Sequence, residues 1–589
     1  MRALMVSVAL ALAALPSLAS ADPASDLRTL ISDYERFARE GDPIRAAQRG
    51  DAAAASRWAD DTPGAVAQRR RALESFSARL AALAGAALPE PAALERDALG
   101  ARVSDALDGL GFDEERMPFT SGEGFFINPD YAATLTVLST IDAAESWLKR
   151  LEAVPLYCEQ QTANMRRGIA TRFTQPKLVV EAALRSVRAQ AALPAADSPL
   201  LQPLRRLPAT LPDAQRARLL ARGEEIYRAR VVPAWSTLGD FLERSYLPHA
   251  RPELGARSLP DGARYYASLV RRHTTTDLTP EQVHDLGLRE MARIRPLMDE
   301  AIRDAGYKGS FAQFLAMLRS EPRFFPRDAD ELMQITSEIA NRANAQLPHF
   351  FGVLPRNPYA VVFMPSAMEG GSSGYWPGNP AQGVAGQVLL RRGSATKTSL
   401  YDLPAWVMHE GAPGHHIQVA LAEEATTLPE YRRNDDLTAF VEGWALYAER
   451  LGEEMDIYRT PYERFGRLSN EMWRACRLVI DTGMHWMGWS REQAVACLRD
   501  NTALPAAAID KEVDRYIGWP GQALAYKIGE IEMRDMRAEA ERQLGARFDI
   551  RAFHDAVLGS GPLPLSVLHR HMTAWIATQL ASDGHQIAH

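Results

Sequence analysis

The chemistry this chain could do is concentrated in ten residues, HEGAPGHHIQ, from His409 to Gln418. Imidazole is the usual zinc ligand, and a carboxylate beside the first ligand is where a metallohydrolase keeps its general base. The straight helical motif puts its second histidine four residues after the first, and here that place is Pro413. In an unbroken helix His409 and His416 share a face but stand ~10 Å apart. Two bonds of ~2.0–2.1 Å to one zinc cannot span that gap, and His415 faces the wrong way. A bulge at Pro413-Gly414 removes the difficulty, because proline breaks the hydrogen-bond ladder and glycine accepts unusual dihedrals. With those two residues looped out the pattern becomes His-Glu-x-x-His, with His415 as second ligand and His416 as the alternative.

A third ligand is offered by Glu442, the one acid in the apolar and aromatic run AFVEGWALY, Ala439 to Tyr447. Burying a carboxylate there is costly unless it is paired or bound to a metal. The competing expectation is a helix-surface acid paired with Arg450 or Arg474.

These residues need elements to position them. The apolar run Leu403 to Met408 predicts a buried helix delivering His409 and Glu410. Upstream, three- and four-residue apolar spacing predicts helices over 22–83, 94–110, 131–191 (with a turn at Thr174-Gln175-Pro176) and 212–247. Thr279-Pro280-Glu281-Gln282 reads as a helix start, with the helix running to about Ala305. Between Phe350 and Arg392 the helical rule fails. Ala360 to Met364 and Gln387 to Leu390 read as short strands around a glycine-rich loop, Glu369 to Gly378, that carries Tyr375 and Trp376. An ordinary hairpin would explain this, but its place just before the His-Glu helix suggests a sheet edge on which an extended peptide adds as a strand. After Glu442 the chain is helical to about Arg499. Asp481 and His485, four apart, share a helix face. A carboxylate-oriented His485 could stabilise an oxyanion, or the two could belong to a polar network tying helices together. His284 is expected to be structural, and His569 and His571 to lie on the surface.

The start of the chain, Met1-Arg2 followed by an apolar run to Leu15 and Ala19-Ser20-Ala21, reads as a secretory leader cleaved near Ala21. No later stretch reaches membrane-spanning length, and no cysteine follows the leader to carry a lipid. A periplasmic or secreted protein is the expectation. A net charge of −7 gives no electrostatic case for nucleic acid. Three cysteines, Cys158, Cys476 and Cys497, are too few for a disulfide framework, although Cys476 and Cys497 could pair if their helices are adjacent. With no low-complexity linker and no repeat, residues 22–589 are expected to form one domain: a helical part to about 340, a strand-containing segment over 350–392 and a catalytic helical part over 400–589.

HExxPGHHxQ followed by FVEGWALYAE resembles the family known as domain of unknown function 885. So do LTPEQVHDLGL from Leu278, RLVIDTGMH from Arg477 and PGQALAYKIG from Pro520. That family is grouped with gluzincin-like metallopeptidases, in which two histidines and a downstream glutamate hold zinc. The resemblance implies a mainly α, large helical metallopeptidase-like fold with a small β-sheet lining an active-site cleft. It implies Zn2+ on His409, His415 (or His416) and Glu442, with Glu410 as general base and a peptide or small amide as substrate. A tyrosine hydroxyl supplied late in the chain is similar to the transition-state donor of helical zinc peptidases such as angiotensin-converting enzyme, and by motif position this gives Tyr526 that part beside His485. Two alternatives stand against this reading: a non-enzymatic exported binding protein with a peptidase-like cleft, and a metal-dependent hydrolase of esters or non-peptide amides.

Overall fold

The computed structural model describes residues 22–121, 123–365, 373–380, 383–433 and 435–581; the expected leader and the first four residues of the glycine-rich loop lie outside them. The described residues are mainly helical, with one small sheet. At the N-terminus, helices Pro23–Gly41, Pro63–Ala82 and Glu90–Phe112 close around a core of their own, built from Leu27, Leu30, Tyr34, Leu73, Phe76 and Leu99. Two larger cores fill the body behind them.

The long helices of the body form where local signals agree with burial. Thr279 caps helix Pro280–Asp304 through a reciprocal capping box with Gln282, as the sequence predicts. That helix lies along Pro461–His485, which is buried over nearly its whole length. Helix Thr438–Glu454 crosses Ala525–Leu544 where Gly443 meets Gly529. A Cβ on Gly529 would stand 1.9 Å from the Ala439 carbonyl oxygen, so the two backbones touch only because no side chain intervenes. This crossing sets the turn that carries Glu442 against the turn that carries Tyr526.

The sheet has three strands, β1 (Tyr359–Phe363), β2 (Gly374–Trp376) and β3 (Gly386–Leu390), in the order β1-β3-β2. β1 and β3 fall where the sequence puts strands, but they pair in parallel, with Val361 opposite Val388. The two expected strands therefore do not form a hairpin with each other. β2, expected to be loop, adds antiparallel to β3, and its other edge pairs with no strand among the described residues but faces the His-Glu helix. The three cysteines are free thiols; Cys476 Sγ lies 3.9 Å from the Cys497 carbonyl oxygen.

Candidate metal centre

The His-Glu helix, Leu403–Glu410, stops where Gly411 donates its N–H to the Val407 carbonyl at 2.8 Å. A second helix, His415–Glu424, begins four residues later. Between them the chain folds back on the first helix so closely that a Cβ on Gly414 would lie 2.0 Å from the His409 carbonyl oxygen. Trp444 pins the turn by donating its indole N–H to the Pro413 carbonyl at 2.9 Å. The Pro-Gly departure from the straight motif thus breaks one helix into two. The break sets the His409 and His415 rings edge to face, with centroids 4.8 Å apart.

Glu442 completes a cluster in which one ligand atom from each of His409, His415 and Glu442 lies within 4.8 Å of the others. Its Oε2 stands 3.3 Å from His409 Nε2 and 3.8 Å from His415 Nε2. That oxygen is buried and makes no hydrogen bond among the described residues. Pairing of Glu442 with Arg450 or Arg474, the competing expectation, does not occur: Arg474 turns instead toward Glu449, at 3.7 Å. Glu449 is the site residue the sequence reading missed. It follows Glu442 by two turns on the same helix face, and its Oε1 lies 2.8 Å from His409 Nδ1. A carboxylate on the far nitrogen is the usual support for a metal-binding imidazole, because it fixes the ring and leaves Nε2 facing the site.

The electrostatics follow this geometry. Burial disfavours a charged His409, but the Glu442 and Glu449 carboxylates outweigh it and raise the imidazole to about 9. Burial likewise pushes Glu442 up, while His409, His415 and Arg477 pull it down to about 2. His415 is lowered, chiefly by burial. Two imidazoles and one carboxylate, sharing an orphaned buried oxygen, fit the three-protein-ligand set of a catalytic zinc site.

The other expected residues divide. Glu410 sits beside the cluster, its Oε2 accepting the Tyr375 backbone N–H from the outer edge of β2 at 2.8 Å. Tyr526 packs under the Arg477 guanidinium, which lies 4.2 Å over its ring. Burial raises its hydroxyl, and the Glu442 charge adds to the rise. His416 is turned away: its Nδ1 is 3.2 Å from Tyr375 Oη, and its ring packs 4.6 Å from that of Tyr359. Of the two alternatives for second ligand, His415 is the one that joins the cluster. His485 is corrected as well. It is fully buried, its Nδ1 accepts the Ala256 N–H at 3.0 Å, and its Nε2 is held 2.9 Å from the Tyr516 carbonyl. Asp481 does not orient it but accepts from Tyr266 Oη at 2.6 Å and from the Gly521 N–H at 3.0 Å. The pair belongs to a polar network between helices, with neither ring nitrogen left for an oxyanion. His284 bonds Thr482 from a buried position, as a structural histidine should.

The fold and site together define a large, mainly helical protein with a small sheet against a broken His-Glu helix. The chain belongs to the family described as "Bacterial protein of unknown function (DUF885)", whose pattern matches residues 43–572. No curated protein matches it. Its fold is similar to that of a crystal structure described as "the putative lipoprotein from Colwellia psychrerythraea", with 25% identity, a TM-score of 0.88, and 94% of this chain and 99% of that one covered. A second solved structure, "a putative lipoprotein of unknown function from Shewanella oneidensis", shares the fold at 18% identity and a TM-score of 0.71, covering 94% of this chain and 100% of that one. No helix among the described residues is long and apolar enough to cross a membrane.

Proposed function

We propose that this chain is an exported zinc-dependent hydrolase that cleaves peptide or related amide bonds. The observation that carries the reading is the convergence of His409, His415 and Glu442 ligand atoms within 4.8 Å, with the orphaned Glu442 oxygen among them. The lipoprotein descriptions of the two structural neighbours agree with export.

Zinc held by His409, His415 and Glu442 would supply Lewis acidity, polarising the scissile carbonyl and making a water acidic near neutral pH. Glu449 holds the His409 ring so that its Nε2 stays in place. Glu410 follows His409 on the helix and points ~100° away from it, so its carboxylate takes the proton of the attacking water without serving as a ligand. The same carboxylate returns that proton to the leaving amine nitrogen. Tyr526, whose hydroxyl feels the Glu442 charge, would donate to the developing oxyanion. The outer edge of β2 would take an extended substrate once Glu410 releases the Tyr375 N–H it holds.

Glu410→Gln keeps size and hydrogen bonding but cannot accept the proton. It should retain metal and lose turnover by ~10²–10⁴-fold on a peptide library; cleavage at the parent rate would exclude the mechanism. A second reading, an exported binding protein with a peptidase-like cleft, draws on the bond that already occupies Glu410 at Tyr375. It is preferred if neither form cleaves any peptide, ester or amide.

A further inference from the structure

A cavity of about 670 Å3 lies between the N-terminal helices and the body. Its size is that of a small-molecule or peptide site, typically ~300–1,000 Å3. Ser104 and Arg102 of helix Glu90–Phe112 form one wall, His273 and Arg272 of helix Gly262–Thr274 another, and Thr438 a third. Thr438 opens the helix that carries Glu442 and precedes it by four residues. On a helix that is one turn and ~6 Å, on the same face. The cavity therefore approaches the candidate metal centre along the helix that supplies its carboxylate.

A second cavity, about 210 Å3, shares Arg272 and His273 with the first and extends to Trp519 and Pro520, on the loop that leads into Tyr526. His273 is thus at the junction, with its Cδ2 within 3.1 Å of where a Cβ on Gly521 would stand. It makes no hydrogen bond among the described residues. Burial pushes its imidazole down to about 3, so the ring is neutral, with one nitrogen to donate and one to accept. The arginines around it are already matched. Arg102 pairs with Asp435, Arg272 with Glu114 at 2.8 Å and Asp105 at 3.3 Å, and Arg271 with Asp108 at 3.5 Å. Arginines already paired with carboxylates and an uncommitted imidazole suit a neutral backbone rather than a phosphate or a polyanion.

We propose that this cavity is the chamber in which the substrate of the candidate zinc centre lies, that the substrate is a short unfolded peptide, and that His273 hydrogen-bonds its backbone. The proposal rests on the hydrolase reading above for what happens next, but not for binding itself. A folded protein is too large for the space, so selection is by size and extension.

The test uses full-length Glu410→Gln protein and a fluorescein-labelled pool of random octapeptides, read by anisotropy. In that background, Ser104→Trp fills the chamber from an exposed position and His273→Ala removes the imidazole. Each should weaken binding at least ~10-fold, since a good contact or an occluded site costs about 1.4 kcal/mol or more, while zinc content and melting temperature match those of Glu410→Gln alone. Equal affinity in all three proteins, or no binding of the pool to any of them, overturns the chamber. Zinc content measured on the same samples separates the two proposals. Full zinc with no effect of either substitution sinks the chamber and leaves the metal centre. Lost peptide binding in protein devoid of zinc supports the chamber and sinks the metal centre.

Discussion

Among the described residues, two places bring three ligand-type side chains within 4.8 Å: His409, His415 and Glu442 in one, and Glu290, Glu471 and Glu530 in the other. The second is the more buried and the more acidic, yet the chain has filled it itself. The Lys527 ammonium sits among the three carboxylates, 2.9 Å from Glu471, 2.7 Å from Glu530 and 3.1 Å from Glu290. Arg293 and Arg467 add further charge-assisted bonds to Glu471. The first cluster has imidazoles where the second has an ammonium, and its central oxygen is left without a bond. Proximity of ligand atoms alone does not separate a metal site from a structural ion network. What separates them is whether a cation of the chain already occupies the middle.

The comparison can be broken in the protein. The largest effect is expected from Lys527→Met, which leaves buried carboxylates short of a partner. It should cost about 3–5 kcal/mol in urea unfolding and leave the zinc content unchanged. The network should also be acid-labile. Burial pushes Glu290 up, but Arg293 and Lys527 hold it down at about 2. A carboxyl held below its unfolded value contributes stability that is complete above about pH 4.5 and is lost as the pH falls toward 2. In Lys527→Met that acid limb of the stability profile should flatten. Next comes Gly414→Ala, whose Cβ would meet the His409 carbonyl oxygen at 2.0 Å. Relieving that clash should cost about 1–3 kcal/mol and spread His409 from His415, lowering metal content with it. Unchanged stability and metal would show that the turn is not what sets the ligands. The smallest effect is expected for Glu449→Gln, which keeps the fold and weakens metal affinity ~10–100-fold, as loss of a supporting carboxylate does; titration against a chelator reads it.

Much of this was legible in the sequence, and the failures have physical causes. The helix from Pro280 was readable because its cap is local, Thr279 and Gln282 being three residues apart. Strands β1 and β3 were readable from β-branched and aliphatic runs. β2 was not, since Gly374-Tyr375-Trp376 has no strand pattern of its own and is extended only because β3 pairs with it. The His409 and Glu442 positions followed from residue type, and the Pro-Gly break from the geometry of a helix. The choice between His415 and His416 did not, because it depends on Tyr375 and Tyr359 drawing His416 toward the sheet. Asp481 and His485 share a face as expected, but partners distant in sequence, Tyr266 and Ala256, claim them first. Glu449 carried a signal that went unused: it lies seven residues after Glu442, on the same face of one helix.

The most direct test of the central claim is elemental analysis of the purified protein and of single alanine variants. The account predicts about one zinc per chain in the parent, its loss in His409→Ala, His415→Ala and Glu442→Ala, and its retention in His416→Ala and in Glu471→Ala. A full complement of zinc in His415→Ala, or its loss in Glu471→Ala with the His409 cluster intact, would contradict it.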